Sequence, residues 1–164
     1  MIFVSVGNHD QQFTRLIKWI DSIAPKIKEK IIVQRGYTKY VPKNCGSFQW
    51  SKSLSDYIKK SNLVITHAGI GTTLEVLKKY KKPCIVVPRQ HSYGEHINNH
   101  QVDYSRLLEK KNVRVVYDVR DLTPKLLNKY RKVVKVENKS FNSLQDFLSR
   151  IIKKTEAEIG EKIN

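Results

Sequence analysis

One short stretch, Thr66-His67-Ala68-Gly69-Ile70-Gly71 with Thr72-Thr73 after it, follows directly on an apolar run, Leu63-Val64-Ile65. A strand that stops at a small-residue turn and restarts as a helix aims unpaired N–H groups and the positive helix end at one point. Gly69 and Gly71 let a ligand approach the backbone, Thr72 and Thr73 add hydroxyl donors, and His67 adds a ring nitrogen. That set suits the phosphates of a nucleotide. The same glycines also suit a ligand-free strand-to-helix turn, and His67 also suits a core position bonded to backbone. Glu75 stands one turn into the expected helix, where a carboxylate can accept both hydroxyls of a ribose. A surface glutamate favoured by the helix N-terminus is the alternative.

A second polar set follows the run Cys84-Ile85-Val86-Val87 and Pro88. Arg89 to Gly94 reads as a loop. It leads into an expected helix carrying Glu95, His96, Asn99, His100 and Gln101. His96 and His100 are spaced i, i+4, but no third ligand stands at a recognisable spacing and the order EHINNH is not HExxH. We therefore expect no metal and no cofactor. The turn GIGTTL lacks the third glycine of a dinucleotide fingerprint, since Leu74 stands there, and no GxSxG elbow is present.

Regular elements must position these residues. Residues 2–6 read as a first strand with Gly7-Asn8-His9 as its exit turn. Residues 11–23 read as a helix, with Phe13, Leu16, Ile17 and Ile20 at helical spacing. Residues 31–34 form a second strand, 47–50 a short third one, and 54–60 a short helix capped by Ser53. The strand at 63–65 comes next, then a helix opened by Thr72-Thr73 and closed near Pro83, then the strand 84–87. Residues 113–117 read as the last strand, and 121–130 and 140–154 as helices. Strands that alternate with helices and are apolar on both faces predict an α/β fold, a Rossmann-like doubly wound parallel sheet. We expect one domain over 1–154 and a charged tail or helix extension over 155–164. Such sheets bind ligands at the carboxyl ends of their strands. The turns Gly7-Asn8-His9, Arg35-Gly36-Tyr37, His67 to Thr73 and Arg89 to His96 would then share one edge.

Composition narrows the classes. The chain has 164 residues and a net charge of +16. No apolar run approaches the roughly 18 residues of a membrane-spanning helix. The start is strand-like, without a charged leader, so no signal peptide is expected. Cys45 and Cys84 make no disulfide framework, and Cys84 falls in a predicted core strand. The charge favours anionic partners: nucleotide-sugar, nucleic acid or an anionic membrane surface. Its lysines are not interleaved with aromatics as in a base-stacking sheet, so nucleic acid is not the expected partner.

Three stretches, MIFVSVGNHDQQFTRLI, VITHAGIGTTLEVL and VVPRQHSYGEHINNHQ, resemble the Alg13/PssE-like subunits. These are related to the carboxy-terminal, donor-binding half of MurG-type, GT-B glycosyltransferases of family 28. The resemblance covers about residues 1–120. It implies a single GT-B donor-binding half-domain for a UDP-sugar that works without metal. It places diphosphate on Gly69, Gly71, Thr72 and Thr73 with His67 near, and ribose on Glu75. The donor sugar falls on Arg89, Glu95, His96, Asn99, His100 and Gln101. Trp50 and Ser51 fall where such a protein holds uracil, though Trp50 also reads as core. Gly7 and Asn8 belong to the first-turn contacts, and Asn8 departs from the family's threonine. The acceptor half would come from an Alg14/PssD-like membrane-anchored subunit presenting a lipid-linked acceptor, at the cytoplasmic face of the membrane. The general base would come from that partner or from His9. A non-catalytic nucleotide-binding scaffold that activates a partner transferase is the alternative.

Overall fold

The computed structural model describes residues 1–132. Six strands form one parallel sheet in the order β3-β2-β1-β4-β5-β6. They are β1 (Ile2–Ser5), β2 (Ile31–Gln34), β3 (Gly46–Phe48), β4 (Leu63–Thr66), β5 (Cys84–Val86) and β6 (Arg114–Val115). The helices are α1 (Thr14–Ile23), α2 (Ser55–Lys60), α3 (Ile70–Leu74), α4 (His100–Glu109) and α5 (Pro124–Tyr130). This is the expected Rossmann-like sheet, with its strand order reversing at β1 and β4. The expected helix over 140–154 and the tail over 155–164 lie outside the described residues.

Alternation along the strands explains why helices cover both faces. Ile2 and Val4, Leu63 and Ile65, and Ile85 point into one core with Leu16, Ile17 and Ile20 of α1 and Leu127 of α5. Phe3, Val64, Cys84 and Val86 point into the other, with Ile58 of α2 and Tyr104 and Leu108 of α4. Each such side chain contributes about 1.5–3 kcal/mol on burial. Strands buried on both faces cannot show a polar alternation, hence their continuous apolar runs.

The register aligns the strand ends. Ser5 lies opposite both Gln34 and Thr66, and Thr66 opposite Val86. The turns after β1, β2, β4 and β5 therefore leave from one edge.

Several element ends differ from expectation for local reasons. Helix α1 begins at Thr14 rather than Gln11, because the Phe13 N–H bonds the Thr38 hydroxyl at 2.9 Å. The helix after β4 starts at Ile70, two residues before the expected Thr72-Thr73, and changes to a π-turn over Glu75–Lys79. The helix expected to carry Glu95 to Gln101 starts only at His100. Ahead of it, Asn98 Oδ1 accepts from the His100 N–H at 3.1 Å and Asn99 Oδ1 from the His91 N–H at 3.3 Å. Asparagine side chains thus take backbone partners that a longer helix would need. The region expected as one helix over 121–130 divides at Thr123, whose side chain caps α5 ahead of Pro124. The last strand shrinks to Arg114–Val115, and the expected strand over 47–50 ends at Phe48.

Candidate functional site

The site grows from the two central strands. β1 and β4 are neighbours, and their exit turns meet around His67. The imidazole lies against Gly7 on one side and Gly69 on the other, and a Cβ on either glycine would overlap the ring. Gly7 also has φ +76°, which disfavours any side chain. His67 Nδ1 faces the Ser5 carbonyl at 3.4 Å and the Thr66 hydroxyl at 3.5 Å. That hydroxyl gives its own hydrogen to the His67 carbonyl at 3.1 Å. Both neighbours of Nδ1 are therefore acceptors, and Nδ1 carries the proton. Burial, followed by the Arg89 charge, pushes the His67 pKa down to about 3. A neutral ring with a bare Nε2 cannot donate to a phosphate, so the phosphate-donor expectation for His67 is corrected. Its role is to pack the two turns together.

The Gly69 to Thr73 turn is less uniform than its sequence. Thr73 is fully buried and gives its hydroxyl hydrogen to the Gly69 carbonyl at 2.8 Å. It closes the first helical turn and cannot serve as the expected donor to a ligand. Gly71 differs: a Cβ there would meet nothing within 4 Å. Packing does not demand a glycine at 71. Thr72 remains partly exposed beside it. Glu75 opens the π-turn and pairs with Lys79 at 3.1 Å, with its side chain 31 % exposed.

The largest revision concerns the loop after β5. Arg89 is 1 % exposed. Its guanidinium donates to the Val6 carbonyl at 2.8 Å, the Gln11 carbonyl at 2.7 Å and the Glu95 carbonyl at 3.0 Å. Burial lowers its pKa to about 10, so it stays charged at neutral pH. Glu95 is also buried, and both carboxylate oxygens accept from Arg15 at 2.9 Å. Gln101 is buried and accepts from the Arg89 N–H at 3.1 Å. Asn99 precedes α4 without a side-chain capping bond, and its side chain holds the His91 N–H instead. Arg89 is thus spent on tying the loop after β5 to the end of β1 and the loop that follows it, Glu95 on tying it to α1, and Gln101 on bracing the start of that loop, and the expectation that they contact a sugar is corrected. Each had polar chemistry at the right chain position, but each meets its partner inside the protein. Arg15, which closes this network, was missed. Its only sequence signal was a cation on the otherwise apolar start of α1.

Two groups do face outward at this edge. His9 and His96 bring their rings to 4.4 Å between centroids, tilted by 43°. Trp50 is 45 % exposed, which removes the core reading, and meets Tyr37 edge-on at 4.6 Å. Ser51 gives its hydroxyl hydrogen to the Ser53 carbonyl at 2.7 Å and retains only acceptor capacity. Asn8 is exposed, and its Oδ1 lies 3.4 Å from Gln34 Nε2. Gln34, also missed, holds the Gly7 N–H and carbonyl at 3.1 Å each. His100 is exposed at the first residue of α4, so it no longer shares a helix with His96. Among the described residues no group of three His, Cys, Asp or Glu side chains is placed to hold a metal ion.

Comparison with known proteins places the chain by family and by fold. The model of the glycosyltransferase family 28 C-terminal domain matches residues 1–159. The chain belongs to this family. It is 33 % identical over 125 residues to the human UDP-N-acetylglucosamine transferase subunit ALG13, covering 67 % of this chain and 10 % of that protein. Among solved structures, the glycotransferase of kitacinnamycin superposes with a TM-score of 0.58 at 20 % identity, over 95 % of this chain and 39 % of that one. Acinetobacter baumannii MurG superposes with a TM-score of 0.51 at 15 % identity, over 77 % of this chain and 39 % of that one. The last two show the fold of GT-B glycosyltransferases. The chain thus spans about a tenth of its human relative and well under half of either solved transferase.

Proposed function

We propose that this family 28 domain is the donor-binding, catalytic subunit of a two-component, UDP-sugar-dependent glycosyltransferase. It works with a membrane-anchored acceptor subunit on a lipid-linked acceptor, at the cytoplasmic face of the membrane, in polysaccharide or glycolipid synthesis. The observation that carries this reading is Gly71. It lies at the topological switch point, at the start of the helix after β4, in open space that no packing requirement explains. A glycine there keeps the backbone N–H groups accessible to an anion. Glu75 receives the ribose, Thr72 and the Gly69 to Gly71 backbone receive the diphosphate, and the Tyr37–Trp50 edge offers an aromatic wall for the base. His9 takes the proton of the attacking hydroxyl. Helix-end N–H groups offset the phosphate charge, so no metal is required. Likeness to ALG13, by its name a transferase subunit, supports the two-component organisation. Among the described residues no helix is long and apolar enough to cross a membrane, so membrane attachment is assigned to the partner.

Calorimetric titration of the chain with UDP, with ADP as control, tests the reading in the presence and absence of EDTA. We expect selective UDP binding that EDTA leaves unchanged. Glu75→Ala and Gly71→Ala should each weaken it roughly tenfold, the loss of about 1.4 kcal/mol. Gly71→Ala should leave stability within about 0.5 kcal/mol of the parent. Equal affinity for UDP in both variants and the parent would remove the donor site from this turn.

A further inference from the structure

We propose that the cavity between the start of α1 and the loop after β5 binds an uncharged pyranose unit of the acceptor. This rests on the transferase reading above for the source of that sugar, and adds a second carbohydrate position beside the donor site. The cavity measures about 350 Å³ and is lined by Gln12, Thr14, Arg15, Tyr93, Gly94 and Glu95. Small-molecule sites run from about 300 to 1,000 Å³, so its size suits one ring rather than a nucleotide.

The lining points to a neutral ligand. Its one cation and its one anion are bound to each other, since Arg15 gives a hydrogen bond of 2.9 Å to each carboxylate oxygen of Glu95. A phosphate in the cavity would have to compete with Glu95 for Arg15. Glu95 is buried and forms the floor rather than a ligand contact. The walls are uncharged. Tyr93 is 61 % exposed, and the Arg15 guanidinium stands 4.6 Å from its ring centroid. Arg15 covers one face of that ring and leaves the other to a ligand. A pyranose presents an apolar C–H face that fits an aromatic ring, and a rim of hydroxyls that both donate and accept. Gln12 spends its Oε1 on the Lys39 N–H at 3.1 Å and keeps its amide hydrogens to donate. Thr14 brings a hydroxyl that can do either. Tyr93 is carried on a braced turn: the Gly94 N–H closes it on the His91 carbonyl at 2.8 Å, and Asn99 holds the His91 N–H.

The position fits an acceptor. Gln12 lies three residues beyond His9, and Glu95 adjoins His96, so the cavity stands close to the two rings that meet at 4.4 Å. Helix α1 packs into the core that holds Leu16 and Ile17. The helix after β4 packs into the other, through Val76 and Leu77. The cavity and the Gly71 to Glu75 segment therefore belong to opposite faces of the sheet. A sugar in the cavity and a donor on that segment can flank His9 without sharing space.

The test is a 1H–15N titration of the 15N-labelled full chain with methyl β-D-glucoside and methyl N-acetyl-β-D-glucosaminide. Sorbitol and glucose 6-phosphate are the controls. We expect the glycosides to shift the amides of Gln12, Thr14, Tyr93 and Gly94, and to leave Gly71 and Glu75 in place. Tyr93→Ala should weaken this binding about tenfold, and Tyr93→Phe should keep it within about twofold. Thr14→Val should weaken it about fivefold. No shift at these amides by about 100 mM glycoside overturns the site. So do equal shifts from sorbitol, which has no ring face, or tighter binding of glucose 6-phosphate. Saturation with UDP-glucose or UDP-N-acetylglucosamine should leave the glycoside shifts intact. Displacement by either would give the cavity to the donor's own sugar and overturn its assignment to the acceptor. A chain that binds glycosides but not UDP would remove the donor site and retain this one, and the converse result would remove this one alone.

Discussion

At the scale of single residues, three glycines with similar sequence surroundings have different reasons to be glycine. Gly7 and Gly69 make room for the His67 ring, and Gly71 makes room for nothing in the protein. Their alanine variants should separate accordingly. Gly69→Ala forces a Cβ into the imidazole and should cost about 1–3 kcal/mol, the usual range for overpacking. Gly7→Ala should cost more, since it adds an unfavourable φ. Urea unfolding of the two variants beside Gly71→Ala checks the order. A Gly69→Ala protein as stable as Gly71→Ala would show that His67 does not hold the turns apart.

At the scale of elements, the loop after β5 is held by charge rather than by helix propensity. Glu95 is nearly inaccessible, with its side chain 4 % exposed, and Arg15 reaches it from α1 while also bonding the carbonyl of Tyr117 at 3.0 Å. One buried ion pair therefore ties α1, the loop after β5 and the chain beyond β6. Removing one partner leaves the other charged and buried, which costs about 3–5 kcal/mol. Glu95→Ala and Arg15→Ala should each show a loss of that order in chemical denaturation. The double change to uncharged residues should lose less than the two single losses together. The same experiment distinguishes a structural Glu95 from a sugar contact. A sugar contact would lower donor affinity and leave the unfolding midpoint in place.

At the scale of the whole molecule, His67 couples the sheet to pH. Its pKa falls from an ordinary 6.5 to about 3, first through burial. Between those values the unfolded chain binds a proton that the folded chain refuses. The stability linked to His67 is thus complete above about pH 6.5 and is lost as pH falls toward 3, by up to about 1.4 kcal/mol per pH unit. Denaturation at pH 7.5, 6.5, 5.5 and 4.5 should show this decline, and His67→Gln should flatten it. A parent protein that gains stability over that interval would contradict a buried neutral histidine. The net charge of +16 acts in the same acid direction through self-repulsion, so the slope remaining in His67→Gln reads the rest of the molecule.

Much of this protein was legible in the order of its residues. The strand runs were readable because both faces of a parallel sheet are buried, so Ile2 to Val4, Leu63 to Ile65 and Cys84 to Val86 carry no polar interruption. The edge that holds the site followed from that topology, since all exits of a parallel sheet leave the same way. Residue types also marked the polar turns. They did not show which polar atoms were already taken, because hydrogen-bond partners 12, 27 or 80 residues apart leave no local trace. Arg89, Glu95 and Gln101 looked like ligand contacts and turned inward; Arg15 and Gln34 looked incidental and hold the turns. Chain order alone determined the fold class, the position of the small-residue turn after β4 and the family. Tertiary structure alone decided that Gly71 is open, that His67 is a neutral wedge, and that His9 meets His96. Each of those depends on where side chains from separate strands end in space.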